Sequence, residues 1–79
     1  MTDFKTRLKE LKKANNLSYQ DLATLLGISV RAVQHYASGD RFPDFHGLIK
    51  LADHFDVSLD YLVGRSDENH SSNPSKYKE

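Results

Sequence analysis

The sequence predicts an all-α fold, a compact bundle of five helices. Three observations predict it. Apolar residues recur at helical spacing in nearly every segment between Phe4 and Val63. A Ser, Thr or Asp stands ahead of each periodic segment, where a helix start needs a side-chain oxygen for its free N–H groups. No segment carries the alternation of a half-buried strand.

The elements follow in chain order. Phe4, Leu8 and Leu11 lie at i, i+4 and i+7, and Ala14 continues that stripe. Thr2 or Asp3 supplies the first cap, and Asn15-Asn16 ends the helix. Ser18-Tyr19-Gln20-Asp21 resembles a capping box with Asp in place of Glu. It opens a short second helix with Leu22, Ala23, Leu25 and Leu26 inward, and Gly27 stops it in the left-handed conformation. Ser29 caps a third helix, whose inner face carries Val33 and Tyr36 and which ends at Gly39-Asp40. Pro43 disfavours helix at Phe42, and Asp44 caps a fourth helix with Phe45, Leu48, Ile49, Ala52 and Phe55 at helical spacing. Gly47 inside it costs roughly 1 kcal/mol relative to Ala, which close packing would explain. Ser58 caps a short fifth helix with Leu59, Leu62 and Val63 inward, closed by Gly64. Residues 1–65 are expected to form the domain. Residues 66–79 lack an apolar pattern and are expected to be disordered on their own.

A chain of 79 residues accommodates one small domain with a modest core. It has no cysteine, so neither a disulfide framework nor a thiolate metal site is available. No segment approaches the roughly 20 apolar residues needed to cross a membrane, and the N-terminus lacks an apolar run of signal-peptide length. A soluble, cytoplasmic protein is expected. His46 and His54 are eight residues apart, about 12 Å along a helix, too far to share an ion. No metal, no cofactor and no catalytic site is expected, because no motif joins the Ser, His and Asp residues present.

The formal net charge is zero, but it is unevenly placed. Residues 1–43 hold seven cations and four anions, and residues 44–79 hold four cations and seven anions. A basic front and an acidic back would orient the protein on a polyanion.

The most informative stretch runs from Gln20 to Gly39. Two short helices are joined through Gly27-Ile28-Ser29, with Ala23 small enough for their close crossing. Val33 and Tyr36 fasten the second helix to the core. Val30, Arg31, Gln34, His35 and Ser38 then face outward, and such a helix can enter the major groove of DNA.

In this spacing of Ala23, Gly27, Ile28, Val33 and Tyr36, the chain resembles helix-turn-helix proteins. Residues 4–64 are similar throughout to the phage-repressor-like, Cro-type (Xre) family, the lambda-repressor-like fold. Supporting phrases are Leu17-Ser18-Tyr19-Gln20-Asp21-Leu22-Ala23, Ser38-Gly39-Asp40-Arg41-Phe42-Pro43 and the run from Leu51 to Leu62. The resemblance implies that Gln20, and Arg41 with the backbone around Gly39-Asp40, contact DNA phosphate, that Ser29 contacts a phosphate or an adjacent base, and that Val30, Arg31 and His35, with Gln34 beside them, face the bases. Arg31 can pair bidentately with guanine, and Val30 can pack on a thymine methyl. Position 37 is often Glu in that family and is Ala37 here, so an ion pair to the first helix is expected to be missing.

The resemblance implies a transcriptional regulator, a repressor acting as a homodimer on a palindromic operator in double-stranded DNA. The surface around Leu59, Tyr61, Leu62 and Val63 is the candidate dimer interface. The alternative is an antitoxin-type, protein-binding module of the same fold, with the tail from Ser66 to Glu79 folding onto a protein partner.

Overall fold

The structure is a computed structural model that describes residues 2–68. It is all-helical over those residues: α1 (Phe4–Ala14), α2 (Tyr19–Leu26), α3 (Val30–Ser38), α4 (Phe45–Phe55) and α5 (Leu59–Leu62). Residues 69–79, most of the expected tail and of its partner-binding role, lie outside the described residues.

Each helix begins on a short polar side chain that accepts the backbone N–H three residues on: Asp3 from Thr6, Ser18 from Asp21, Ser29 from Ala32, Asp44 from Gly47 and Ser58 from Tyr61. Asp3 therefore takes the first cap over Thr2. At Ser18 the box is reciprocal, because Asp21 Oδ2 accepts the Ser18 N–H at 2.8 Å. Those bonds hold the Asp21 carboxyl below its ordinary pKa, the backbone N–H contributing most.

The helix ends share a second device. After each of α1 to α4 a left-handed residue turns the chain, and the next N–H reaches back to a carbonyl five residues earlier: Leu17 to Lys12, Ile28 to Ala23, Asp40 to His35, and Val57 to Ala52. Glycine fills the left-handed position at Gly27 and Gly39. Asn16 and Asp56 fill it at the other two, with φ of 56° and 57°, and Asp56 has no glycine to announce it.

Leu8, Leu22, Val33, Leu51 and Leu62 are fully buried at the centre, joined by Phe4, Ala23, Ala52, Phe55 and Val57. Each fully buried Leu or Val side chain contributes about 1.5–3 kcal/mol of transfer free energy. Gly47 proves to be a packing residue: a Cβ there would stand 3.0 Å from Pro43 Cβ and 3.2 Å from Asp44 Oδ1.

Several expectations need correction. Phe45 is 65% exposed, because the core lies under the C-terminal half of α4 at Leu51, Ala52 and Phe55 and the first turn projects past it. Ala14 is exposed at the end of α1 for the same reason. Leu62 is wholly buried and so cannot belong to a surface interface, whereas Leu59, Tyr61 and Val63 are half-buried.

Arg7, counted from sequence among the cations of a basic surface, is instead 7% exposed. Its Nε donates to the Tyr61 carbonyl at 2.9 Å and its Nη2 to the Ser66 carbonyl and Asp67 Oδ1, each at 3.3 Å. Nη1 reaches Glu10 at 3.5 Å, and the guanidinium carbon lies 3.8 Å from the Tyr61 ring centroid. Arg7 of α1 thus ties Ser66 and Asp67 to the fold, and Ala37, buried on α3, offers no carboxylate to α1.

Candidate nucleic-acid interface

Helices α2 and α3 are joined by a tight corner. Gly27, at φ 71°, ends α2, and the Ile28 N–H returns to the Ala23 carbonyl at 3.0 Å. Ala23, in the last half of α2, is buried in the core. Ile28 is half-buried against the core and fills the corner. Val33 and Ala37 bury the inner face of α3. Tyr36 is half-buried rather than fully enclosed, and lines a cleft with Ile28, Arg41, Phe42, Pro43 and Lys50.

Fastening α3 in this way leaves its other face in solvent. Arg31 and Gln34 are exposed and His35 is half-buried, and all three line one shallow concavity with Ser38 and Asp40. The Arg31 guanidinium has no hydrogen-bond or ion-pair partner among the described residues. It therefore has all five donors available to a ligand. Val30 departs from the expected outward set. It is half-buried and packs against the core, so only part of its side chain remains for an external contact.

Three further expected site residues lie outside this concavity. Ser29 caps α3, its Oγ accepting the Ala32 N–H at 3.1 Å, which leaves the hydroxyl proton free to donate. Gln20 is exposed in the first turn of α2, with Nε2 donating to Thr24 Oγ1 at 3.3 Å. Beyond α3, Arg41 is exposed and its N–H is held by the His35 carbonyl at 3.3 Å. Each of the three thus offers a polar donor to solvent.

Lys5, from sequence one cation of the basic front on a solvated face of α1, has a specific neighbour. Its Cδ would stand 2.9 Å from a Cβ placed on Gly39, so it lies across the end of α3. A cation there complements the partial negative charge of the helix C-terminus. Only the fold brings α1 to that point; no local pattern in the sequence signals it. No helix among the described residues is long and apolar enough to cross a membrane.

Comparison with known proteins gives the same architecture. Residues 8–62 match a helix-turn-helix family profile. The chain is 39% identical over 67 residues to the cryptic phage CTXphi transcriptional repressor RstR of Vibrio cholerae, covering 82% of this chain and 60% of that one. It is 48% identical over 59 residues to the HTH-type transcriptional regulator AnsR of Bacillus subtilis, covering 75% of this chain and 51% of that one. The chain thus spans about half to three fifths of the curated relatives it matches. The crystal structure of a transcriptional regulator from Listeria innocua superposes with a TM-score of 0.77 at 39% identity, over 95% of this chain and 68% of that one. With its two short helices crossing at Ala23 and Gly27 and the outer face of α3 left open, the chain belongs to the helix-turn-helix family.

Proposed function

We propose that this protein is a sequence-specific DNA-binding transcriptional regulator, a repressor that binds a two-fold operator in double-stranded DNA as a homodimer, with residues 1–65 as the binding unit. The observation that supports it most is the outer face of α3, where an unpartnered Arg31 stands beside Gln34 and His35 on a helix whose opposite face is locked into the core. In this reading α3 enters the major groove. Arg31 pairs with a guanine, Val30 offers a partial apolar contact to a thymine methyl, and Gln34 and His35 meet adjacent base edges. Gln20, Ser29 and Arg41 bind phosphates on either side. The family's regulators and the phage repressor among the relatives support the regulatory role.

A single recognition helix reads only a few base pairs, so a symmetric dimer is the economical route to a specific site. Leu59, Tyr61 and Val63, half-buried at α5, remain the candidate contact once Leu62 is removed from it. Selection from random duplexes tests the reading. The expected product is a pair of inverted half-sites about 10–10.5 bp apart, or a multiple of that. The logarithm of affinity should fall linearly with that of salt, by about 0.9 per neutralised phosphate. A pool that shows no sequence preference would overturn the reading, and a single unrepeated half-site would overturn the dimer.

A further inference from the structure

The turn that ends α3 folds a carboxylate back onto its outer face. Gly39 is left-handed at φ 89°, and the Asp40 N–H closes on the His35 carbonyl at 3.0 Å. That places Asp40 Oδ2 3.0 Å from Ser38 Oγ and 3.5 Å from His35 Nδ1. The Ser38 hydroxyl also lies 3.1 Å from the His35 carbonyl. Asp40 thus shares the concavity of Arg31, Gln34 and His35, although an anion is the wrong charge for a surface that meets DNA.

An ionised carboxylate only accepts hydrogen bonds, so a bond across this 3.5 Å approach has Nδ1 of His35 as its donor. In the neutral ring the proton then sits on Nδ1, and Nε2 keeps its lone pair as an acceptor. We infer that Asp40 is a positioning residue that fixes this tautomer of His35, so that Nε2 reads a base that presents an exocyclic amine in the major groove, adenine or cytosine, on the contacted strand. Guanine O6 and N7 and thymine O4 are acceptors in the major groove and are rejected by the same lone pair. The one Ser38 hydroxyl proton is shared between Asp40 Oδ2 and the His35 carbonyl, which holds the carboxylate against the end of α3. The inference rests on α3 being the recognition helix, and assigns Asp40 a part in specificity where its charge alone would only weaken binding.

Two measurements on the full chain test it. Two-bond 1H–15N correlation spectra of the free protein near pH 8 should show the His35 ring proton on Nδ1. Asp40→Asn, whose amide can donate as well as accept, should shift the ring toward protonated Nε2. In selections from random duplexes the unsubstituted chain should favour adenine or cytosine at one position per half-site by about two- to tenfold, the range of one hydrogen bond. Asp40→Asn and His35→Ala should both erase that preference and leave the Arg31-dependent guanine intact. If Asp40 is only a surface anion, Asp40→Asn raises affinity for all sequences alike and the preference persists, which overturns the inference. Nε2-protonated His35 in the unsubstituted protein also overturns it. A chain with Nδ1 protonated that selects no sequence overturns the recognition-helix reading, and the base-reading role of His35 with it, while the tautomer stands.

Discussion

Replacing Arg7 by Met should cost about 3–4 kcal/mol of folding free energy, although Arg7 lies in a helix of mostly exposed cations. The magnitude follows from its partners. The charged hydrogen bond to the Tyr61 carbonyl, at 2.9 Å, contributes about 1.5–3 kcal/mol, as is usual for bonds to ionised groups. Stacking on the Tyr61 ring at 3.8 Å adds about 1 kcal/mol. Glu10 and Asp67 have side chains that are 57% and 70% exposed, so each ion pair adds less than about 1 kcal/mol. Met preserves most of the packing of the aliphatic stem, so the loss reports the polar contacts. For a domain of this size, about 4–8 °C of Tm is lost per kcal/mol, and the variant should melt roughly 12–32 °C lower. Urea and thermal unfolding followed by circular dichroism measure both quantities. Because the principal partner is a carbonyl and not a carboxylate, the cost should persist at about 1 M salt, where surface pairs are screened. Glu10→Ala and Asp67→Ala should each cost under about 1 kcal/mol. A loss below about 1 kcal/mol in Arg7→Met, or one that vanishes in high salt, would refute the reasoning.

Three further outcomes are expected. Gly64→Ala should destabilise by at least about 2 kcal/mol in urea titrations, since φ is 86° and the new Cβ would run into the Thr2 carbonyl and stand 2.9 Å from Asp3 Cα; no change in midpoint would contradict the packing of the N-terminus on this turn. Phe45→Ser should change stability by under about 1 kcal/mol, as surface substitutions do, whereas Leu51→Ala should cost about 2–5 kcal/mol; comparable losses would place Phe45 back in the core. Asp21 has a folded-state pKa below its unfolded value, so its contribution is complete above about pH 4 and disappears as the pH falls through the folded value. Unfolding midpoints between pH 5 and pH 2.5 should therefore fall more steeply for the unsubstituted chain than for Asp21→Asn, and parallel curves would count against the capping box.

Local signals made the helix starts legible. Ser18, Ser29, Asp44 and Ser58 each precede an apolar-periodic run, and a cap acts within a single turn. The corner at Gly27 and the inner face of α3 at Val33 were legible for the same reason. What escaped is what depends on distant partners. Phe45 fits the periodicity of α4, yet periodicity does not say where along a helix its neighbours end. Arg7 looks like any other cation of α1, and only the return of Tyr61, Ser66 and Asp67 to its side buries it. Val30 shares the outward set by helical angle, yet it stands at the first position of α3, close enough to the core to pack on it. The carboxylate of Asp40 escaped because its position is set by the turn at Gly39, which carries a side chain outside the helix back along it.

Titration of the selected duplex with Arg31→Ala and Gln20→Ala, each against every single-base variant of one half-site, tests the docking of α3 most directly. Arg31→Ala should relax discrimination at one base pair per half-site, by about 1–3 kcal/mol, and leave the others unchanged. Gln20→Ala should lower affinity for all the duplexes alike. The reverse pattern, with Gln20 setting base preference and Arg31 acting uniformly, would contradict the assignment of the outer face of α3 as the surface that reads DNA.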